Sequence, residues 1–349
     1  MRTATPKLAR AINDRLVLDL LVEHGSLTAP QLRALTGLSR PTVSDLIERL
    51  QVNGLIEVTG ESGGDRRGPN ARLYGVVAAR AHVAGVDVRR DVVHVSVADI
   101  TGGVVGTATR PLSGDPPSDL PSLIAATIAR AAGSRALRAV VAGVPGLVDP
   151  RTGDLQGVSE VPGWGPGSLA ALRHLLDVPV ILENDVNLVA VAEHAEGVAE
   201  GRDDFVLLWL DEGLGSAVVL GGRLRRGVSG GAGEVSFLEP GGVPSCDLVA
   251  PGVLGALPPD EVAERIASVA LAPVAVLDPG LVVLAGDTGV GGGEEMAAMV
   301  AGRLAERSPV PVQVRVSTVA GNPILSGAVV TALTLVRDEV FGAGAAERV

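Results

Sequence analysis

The segment GVDVRRDVVHVSVADITG, residues 85–102, contains the first side chains whose types and spacing suggest chemistry. Apolar and polar residues alternate on both sides of a short turn, which is the pattern of a β-hairpin. An aspartate inside the first strand, here Asp87, is typical of hairpins whose glycine-bearing turn binds a nucleotide phosphate. In this chain the turn consists of Arg89, Arg90 and Asp91. The hairpin is therefore predicted without the glycines that let backbone N–H groups close on a phosphate.

A second set of polar side chains follows Gly37, on a predicted helix that begins near Ser39. Short polar and cationic groups at this end of a helix suit contacts with phosphates and base edges in a DNA major groove. Two further arginines lie in the linker ESGGDRRGPN, at the tip of a predicted wing that would enter a minor groove or contact phosphates. The residues predicted to bind DNA are Ser39, Arg40, Thr42, Ser44, Arg49, Arg66 and Arg67.

The elements that must position these residues are three helices and two strands. A first helix is predicted from Asn13 to a stop at Gly25, a second from the N-cap Thr28 through Leu35, and a third from the N-cap Ser39. Two short helices joined through a glycine turn make a helix-turn-helix. The segments LIEVTG and ARLYGV are predicted strands that enclose the wing. The predicted shared core is Leu32, Leu35, Leu38, Val43, Ile47 and Leu50.

Composition and charge narrow the class of protein. The first 80 residues carry 11 Lys and Arg against 8 Asp and Glu, whereas the other 269 carry 18 against 32, so a basic head precedes an acidic body. The only lysine is Lys7, and only six residues are aromatic, which disfavours a catalytic lysine and stacking platforms for single-stranded nucleic acid. The modest positive charge of the head predicts that DNA affinity needs a dimer and falls with salt.

Neither a membrane span nor a disulfide framework is expected. The N-terminus lacks a hydrophobic stretch, so no signal peptide is predicted. The charge-free run at 316–336 is interrupted by Gly321, Asn322 and Pro323 and is interpreted as a buried turn and helix. With Cys246 as the only cysteine, neither disulfides nor a thiolate zinc cluster is expected. The expected location is the cytoplasm, in association with the nucleoid when DNA is bound.

Beyond residue 78 the chain alternates valine-rich strands with alanine-rich helices, as in layered α/β proteins. The segment FVLLWLDEGLGSAVVLGGRLRRGVSG repeats the strand, turn and strand of the opening hairpin about 120 residues later. This pseudo-repeat predicts two related lobes with a cleft between them. The predicted domains are a winged helix-turn-helix at 1–78 and a two-lobed α/β body at 79–349.

Six stretches together resemble the ROK family of repressors, open reading frames and sugar kinases, in its transcription-factor branch. The resemblance implies an actin-like, sugar-kinase-type fold behind a winged helix-turn-helix, in a regulator that responds to a sugar or a sugar derivative. The stretches are LSRPTVSDLIERLQVNGLI in the head, GVPGLVDPRTG (143–153), VPGW (161–164), LENDVNLVAVAE (182–193), GGAGEV (230–235) and VLDPGLVVLAG (276–286).

The resemblance assigns candidate ligand residues in the body. Asp185 stands at the position of the family's catalytic base, where a carboxylate takes a proton from a sugar hydroxyl or accepts its hydrogen bonds. Asn184 and Glu234 match sugar-contacting positions, and Glu160 stands where an asparagine usually precedes the Pro-Gly-Trp turn. Two alternatives remain: Asn184 and Asp185 as the cap of the following helix, and Glu234 as a surface acid.

Departures from the family pattern concern the phosphate and metal sites. Kinase members have Gly-Gly-Thr in the first hairpin turn and Gly-Thr-Gly in the second, where this chain has Arg89-Arg90-Asp91 and Asp211-Glu212-Gly213. Carboxylates there would repel a triphosphate, so a catalytic role for Asp185 and an ATP cofactor are not expected. Phe237 replaces the family's zinc-binding and sugar-contacting histidine, and with Cys246 alone no metal is expected.

Three functions follow as alternatives. The first is a non-enzymatic, pseudokinase-like transcriptional regulator of carbohydrate metabolism, and most members of this branch are repressors. It would bind a double-stranded DNA operator as a homodimer or homotetramer, and a sugar effector would control this binding. The second is a sugar kinase that transfers phosphate from ATP to a hexose. The third is a regulator whose body serves only as an oligomerisation scaffold.

Overall fold

The computed structural model describes residues 6–62, 71–112, 119–157, 159 and 161–342. Its N-terminal segment contains three helices and a small antiparallel sheet of strand order β1-β3-β2. The predicted helix-turn-helix and its two flanking strands are confirmed. The elements are α1 (Pro6–His24), β1 (Leu27–Thr28), α2 (Ala29–Thr36), α3 (Arg40–Val52), β2 (Ile56–Ser62) and β3 (Ala71–Val76).

Local capping defines the two helices of the helix-turn-helix. The Thr28 hydroxyl accepts a hydrogen bond from the N–H of Gln31, and the Gln31 side chain accepts one from the N–H of Thr28, which makes a capping box. Gly37 ends α2 at a φ of 68°, in the left-handed region that favours glycine. The Ser39 hydroxyl accepts from the N–H of Thr42 at the start of α3.

Two details of the head differ from the predictions. Helix α1 begins at Pro6 rather than near Asn13, because the intervening residues are mostly good helix formers and proline is tolerated in a first turn. Leu35 is 50% exposed, so its assignment to the core is wrong. The two-turn helix α2 buries only Leu32, and Leu35 projects from its last turn.

The first lobe of the body is built on a five-stranded sheet of order β6-β5-β4-β7-β8. The opening hairpin is confirmed as the antiparallel pair β4–β5, and β7 and β8 follow in parallel. The elements are β4 (His82–Val88), β5 (Val92–Asp99), β6 (Val104–Pro111), α4 (Leu120–Ala132), β7 (Leu137–Val144), α5 (Ser168–Leu176), β8 (Val180–Asn184) and α6 (Asp185–Glu196).

The second lobe repeats the first, with a sheet of order β11-β10-β9-β12-β13. Both sheets place a hairpin strand in the centre and add two parallel strands beside it, which confirms the predicted pseudo-repeat. The elements are β9 (Phe205–Leu210), β10 (Leu214–Leu220), β11 (Arg223–Leu224), α7 (Ser245–Leu248), α8 (Pro251–Leu254), α9 (Pro259–Leu277), β12 (Leu281–Ala285), α10 (Gly286–Gly291), α11 (Gly293–Arg307) and β13 (Gln313–Val316). The helix α12 (Pro323–Phe341) follows β13 and returns to the first lobe.

The turn and helix predicted at the charge-free run is confirmed as α12, which packs on α6 and on the β4 and β7 strands of the first lobe. The approach is close at Gly327, where a Cβ atom would overlap the carbonyl oxygen of Leu188 on α6. Apolar side chains of α12 also belong to one continuous buried cluster that includes the core of the head. Within the described ranges, no helix is both long and apolar enough to span a bilayer.

Candidate functional site

The cleft between the two lobes contains an open pocket of about 350 Å³, called the cavity below. The turn after β4 contributes Arg89 from the first lobe, and the turn after β9 contributes Asp211 from the second. Asp287 follows β12, whose carboxyl end faces the same cleft, as expected for ligand sites in open α/β sheets. The remaining lining residues are His94, Trp209, Gly321, Asn322, Pro323 and Leu325.

Arg89 is held inside the cleft by an aspartate of its own hairpin. Its Nε donates to the Oδ2 atom of Asp87 at 2.9 Å, and the Asp87 side chain is 1% exposed. The Nδ2 group of Asn322 donates to the same oxygen at 2.7 Å. Arg89 and Asn322 therefore form one polar cluster around the buried Asp87. This cluster, here called the cleft latch, joins the first hairpin to the residue before α12.

The electrostatics of the cleft are dominated by carboxylates. Burial, with the nearby Asp87 charge adding to it, raises the pKa of Asp185 to about 7. Burial and the neighbouring Asp287 raise the pKa of Asp211. Burial alone would lower the pKa of Arg89, but the Asp87, Asp211 and Asp185 carboxylates raise it, so this guanidinium stays charged. Among the described residues that line the cavity, Arg89 lies beside the acids Asp211 and Asp287, and this arrangement disfavours a polyanion.

Asn184 and Asp185 occupy the predicted turn between a strand and a helix. The Asn184 Oδ1 atom accepts from the N–H of Asn187 at 3.0 Å, so the capping alternative is realised for this side chain. Its Nδ2 group donates to the carbonyl of Gly146 at 3.1 Å. Asp185 is the first residue of α6, and its carboxylate accepts from the N–H of Val186. Burial is the main cause of the raised pKa of Asp185, and the Asp87 charge adds to it.

Three of the stretches that carry the family resemblance meet near this turn: Asn184 is hydrogen-bonded to Gly146, and Gly230 lies against the carbonyl of Val148. The side chain of Gln156 donates to the carbonyl of Ser229, which joins the segment after β7 to the loop before Glu234. Glu234 is half-buried, its pKa is raised by burial, and it accepts from Ser236 at 3.4 Å. Among the described residues, no hydrogen bond connects Glu234 with Asn184 or Asp185. Glu160 lies outside the described residues.

An ion pair between a buried carboxylate and a half-exposed arginine crosses from one lobe to the other beside this turn. Glu183, the penultimate residue of β8, is 4% exposed and accepts from Nε and Nη2 of Arg226, at 2.7 and 2.6 Å. Its other oxygen accepts from Nδ2 of Asn187 at 2.9 Å and from the N–H of Asn184 at 3.1 Å. The carboxylate is thus fully hydrogen-bonded, which buried charges require.

Phe237 and Cys246 stand at positions where the family pattern has metal-binding residues. Phe237 is 78% exposed, and Cys246 is an exposed free thiol. In the part of the chain that the structure describes, no group of three or more His, Cys, Asp and Glu residues is arranged to hold a metal ion.

The predicted DNA-binding residues divide into three groups. Arg40, Thr42 and Ser44 lie exposed on the first turns of α3, and Ser39 caps that helix with its hydroxyl 2.8 Å from the Thr42 hydroxyl. Arg49 differs, because its guanidinium pairs with Asp14 of α1 and with Asp45. This pairing fixes α3 against α1 and leaves Arg49 less available to DNA. Arg66 and Arg67 lie outside the described residues.

Sequence reasoning missed several residues of the cleft. Asn322 was noted only as an interruption of an apolar run, and Arg226 was not assigned a role. Asp287 could have been found, because it comes directly after a buried strand whose carboxyl end meets the cleft. No local pattern indicates that Asn322 reaches Asp87, since 235 positions separate them.

Fold and site define a class: a two-lobed, sugar-kinase-type α/β protein with a winged helix-turn-helix at its N-terminus. Residues 83–246 match the profile of the ROK family, and residues 12–68 match that of the MarR family. The chain therefore carries a ROK-family domain behind a MarR-type winged helix.

Three known proteins illustrate the similarity. The xylose repressor of Bacillus subtilis (strain 168) is 26% identical over 248 residues, which cover 68% of this chain but 63% of that repressor. The alignment thus spans less than two thirds of the relative. The crystal structure of a ROK family transcriptional regulator, a homologue of the Escherichia coli MLC protein, has a TM-score of 0.70 at 15% identity and covers 96% of this chain and 98% of its own. The crystal structure of the ROK hexokinase from Thermus thermophilus has a TM-score of 0.63 at 24% identity, and the alignment covers 74% of this chain and 99% of the hexokinase. The two structures share the fold of this chain.

Proposed function

We propose that this protein is a transcriptional repressor that binds operator DNA through its winged helix and senses a sugar or sugar derivative in the cleft of its body, without phosphorylating it. The observation that carries the proposal is the cleft latch: Arg89 lies where a phosphate-binding turn would be and is bound to Asp87. The combined winged helix and ROK-type body, which the xylose repressor resembles in sequence, supports the DNA-binding part.

The cleft favours a neutral or cationic ligand over a nucleotide. Asp211 and Asp287 come from the second lobe, and both carboxylates would repel the negative charges of a triphosphate. Carboxylates and the nearby Trp209 ring are suited to hydroxyl groups and to the apolar face of a sugar ring. Asn184, Asp185 and Glu234, together with Glu160, remain the proposed sugar-contacting residues.

DNA binding can be tested with the duplex upstream of the gene in a band-shift assay. The wild type is expected to bind, with an affinity that falls steeply as salt increases. The triple variant Arg40→Ala, Arg66→Ala, Arg67→Ala is expected to lose most of this affinity, because it removes three of the proposed phosphate and base contacts. Absence of binding by the wild type would refute the proposed function.

A matched control removes the same charge elsewhere. Arg130, Arg202 and Arg223 are exposed residues of the body, so their joint replacement by alanine changes the net charge equally. This control is expected to bind the duplex as the wild type does. If both triple variants lost the same affinity for the duplex, the loss would be due to the change in net charge and not to the proposed DNA contacts.

Sugar sensing can be separated from a purely structural body by thermal denaturation in the presence of D-xylose, D-glucose, N-acetyl-D-glucosamine and their phosphates. A ligand present at 100 times its Kd stabilises the folded protein by about 2.7 kcal/mol, which corresponds to a shift of several degrees. Such a shift, lost in Asp185→Asn, would support sensing. No shift with any sugar, combined with DNA binding, would support the scaffold alternative.

A sugar kinase is the second candidate, favoured by one observation. The pKa of Asp185 is raised to about 7, a value suited to a general base near neutral pH. Calorimetry and a turnover assay with Mg-ATP and the same sugars distinguish the two functions. We expect neither ATP binding nor turnover, and turnover that disappears in Asp185→Asn would establish the kinase.

We further propose that the DNA-binding domain comprises residues 1–78 and the effector and assembly domain residues 79–349. The division lies between β3 and β4, in the short helical turn of Ala78–Arg80. A dimer or tetramer in the cytoplasm is the proposed assembly, because the head carries only a small excess of basic residues. Analytical ultracentrifugation of the full chain would determine the oligomeric state.

A further inference from the structure

Helix α12 connects the cleft with the DNA-binding head, because each of its ends is fixed to a different part of the molecule. At its start, Asn322 caps the helix by accepting from the N–H of Leu325 at 2.9 Å and donates to Asp87 of the cleft latch at 2.7 Å. The helix then runs for 19 residues, about 28 Å at 1.5 Å per residue. Its far end contacts α1.

The far end of α12 is held by one arginine of the head. Nη1 of Arg15 donates to Oδ1 of Asp338 at 2.6 Å and to the carbonyl of Gly342 at 2.8 Å. Its guanidinium also lies 5.9 Å from the centre of the Phe341 ring. The Arg15 side chain is only 17% exposed, and the Asp338 and Asp19 carboxylates raise its pKa although burial opposes this. Arg15, Asp338, Phe341 and Gly342 are called the head clamp below.

Packing along the helix is too close to absorb a displacement at one end. Gly327 lies against the backbone of α6, and Gly85 of β4 lies against Val329, with no room for a side chain at either glycine. Near the clamp, Nε of Arg337 donates to the carbonyl of Ile100, and the burial of this guanidinium lowers its pKa. Densely packed elements move as units instead of deforming gradually.

We infer that α12 transmits the state of the cleft to the DNA-binding head, with Asn322 as the residue that detects it and Arg15 as the residue that receives it. This rests on the proposed function, because it specifies how a ligand of the cleft would regulate DNA binding. A ligand that takes the hydrogen bond of Asn322 or moves Arg89 changes the position of α12, and the clamp passes that change to α1. Energetic coupling between two sites is reciprocal, so a change at Arg15 must also reach the cleft latch.

Hydrogen–deuterium exchange on the full chain tests this coupling without a ligand. Asn322→Ser keeps a good N-cap but is too short to reach Asp87. It is expected to raise the exchange rate of α1 amides about fivefold or more, the lower limit of typical couplings between sites. The control is Asp119→Ser, which likewise exchanges one N-capping side chain for another, at the start of α4, a helix that packs on β5, β6 and α5. It is expected to leave exchange in α1 unchanged.

The reciprocal measurement uses the head. Arg15→Ala is expected to raise exchange in the hairpin turn that contains Arg89, whereas Arg10→Ala, at an exposed position of the same helix, is expected to leave it unchanged. Exchange that stays local in both Asn322→Ser and Arg15→Ala, or that rises equally in the controls, would overturn the inference.

A DNA-binding readout separates this inference from the proposed function. If the wild type binds the upstream duplex and a sugar of the panel weakens binding, Arg15→Ala is expected to reduce that sugar effect while the sugar still stabilises the body in thermal denaturation. An unchanged sugar effect in Arg15→Ala would overturn the coupling and leave the proposed function intact. If no duplex is bound, the proposed function fails, and the exchange experiment alone decides the coupling.

Discussion

Replacing Arg226 by alanine is expected to destabilise the body, because it leaves the buried Glu183 carboxylate without its countercharge. The substitution removes both donors to one carboxylate oxygen, while Asn187 and the backbone N–H of Asn184 still bind the other. Breaking a fully buried ion pair costs about 3–5 kcal/mol, and exposed pairs contribute about 1 kcal/mol or less. The Arg226 side chain is 46% exposed, so water reaches the vacated position. We therefore expect a loss of about 2 kcal/mol, between the two limits.

Chemical denaturation followed by circular dichroism measures this loss. Arg225→Ala is the matched control, because the neighbouring guanidinium donates to the carbonyl of Leu220 and faces no buried acid. Changes at such surface positions are usually within about 0.5 kcal/mol. Adding Glu183→Gln to Arg226→Ala is expected to recover part of the loss, since a neutral amide needs no countercharge. A loss from Arg226→Ala no larger than that of the control, or strictly additive effects in the double variant, would refute the reasoning.

Three further predictions concern packing, pH and capping. Gly327→Ala is expected to destabilise the protein by about 1–3 kcal/mol, because the added methyl group overlaps α6. Gly302→Ala, on α11 with open space around it, should stabilise the protein slightly. The midpoints of urea denaturation measure both effects, and equal midpoints would contradict the close packing of Gly327 on α6. Because the pKa of Asp185 is raised, the folded state keeps a proton that the unfolded chain releases above the ordinary pKa of an aspartate, so stability should fall as the pH rises from about 4 to 7. Asp185→Asn should flatten this dependence in denaturation curves at pH 5 and 8. An unchanged dependence would contradict the assignment of the raised pKa to Asp185. Thr28→Ala removes one member of the capping box and should cost about 1 kcal/mol of stability, measured by thermal unfolding. A shift no larger than that of Thr107→Ala, at an exposed position of β6, would argue against a stabilising cap.

Local interactions explain why much of the head could be predicted from its residues. A cap acts on the next three residues, and a glycine in the left-handed region ends a helix by its own backbone geometry, so Thr28, Gly37 and Ser39 identify the helix-turn-helix without further context. The exposure of Leu35 was not predictable in the same way. Helical spacing shows which residues share a face, but the surface available for burial depends on how far the neighbouring helices extend.

The body shows the same division between local and long-range information. Alternating apolar and polar residues identified the first hairpin, and a similar strand, turn and strand identified the second. The residues of the two turns indicated altered phosphate loops. Sequence alone did not show what replaces the phosphate contacts. Arg89 binds Asp87 only two positions away, yet the third member of the latch, Asn322, comes from the opposite end of the body.

By itself, the sequence determined the order of the elements, the winged head, the repeated lobes and the altered residues of both hairpin turns, because each depends on residues close together in the chain. Only the tertiary structure decided that Glu183 is paired with Arg226, that Arg49 is bound within the head, and that α12 extends from the cleft latch to Arg15. Such pairings depend on how the sheets and helices pack, and the sequence around a charged side chain does not indicate which distant residue will be its partner.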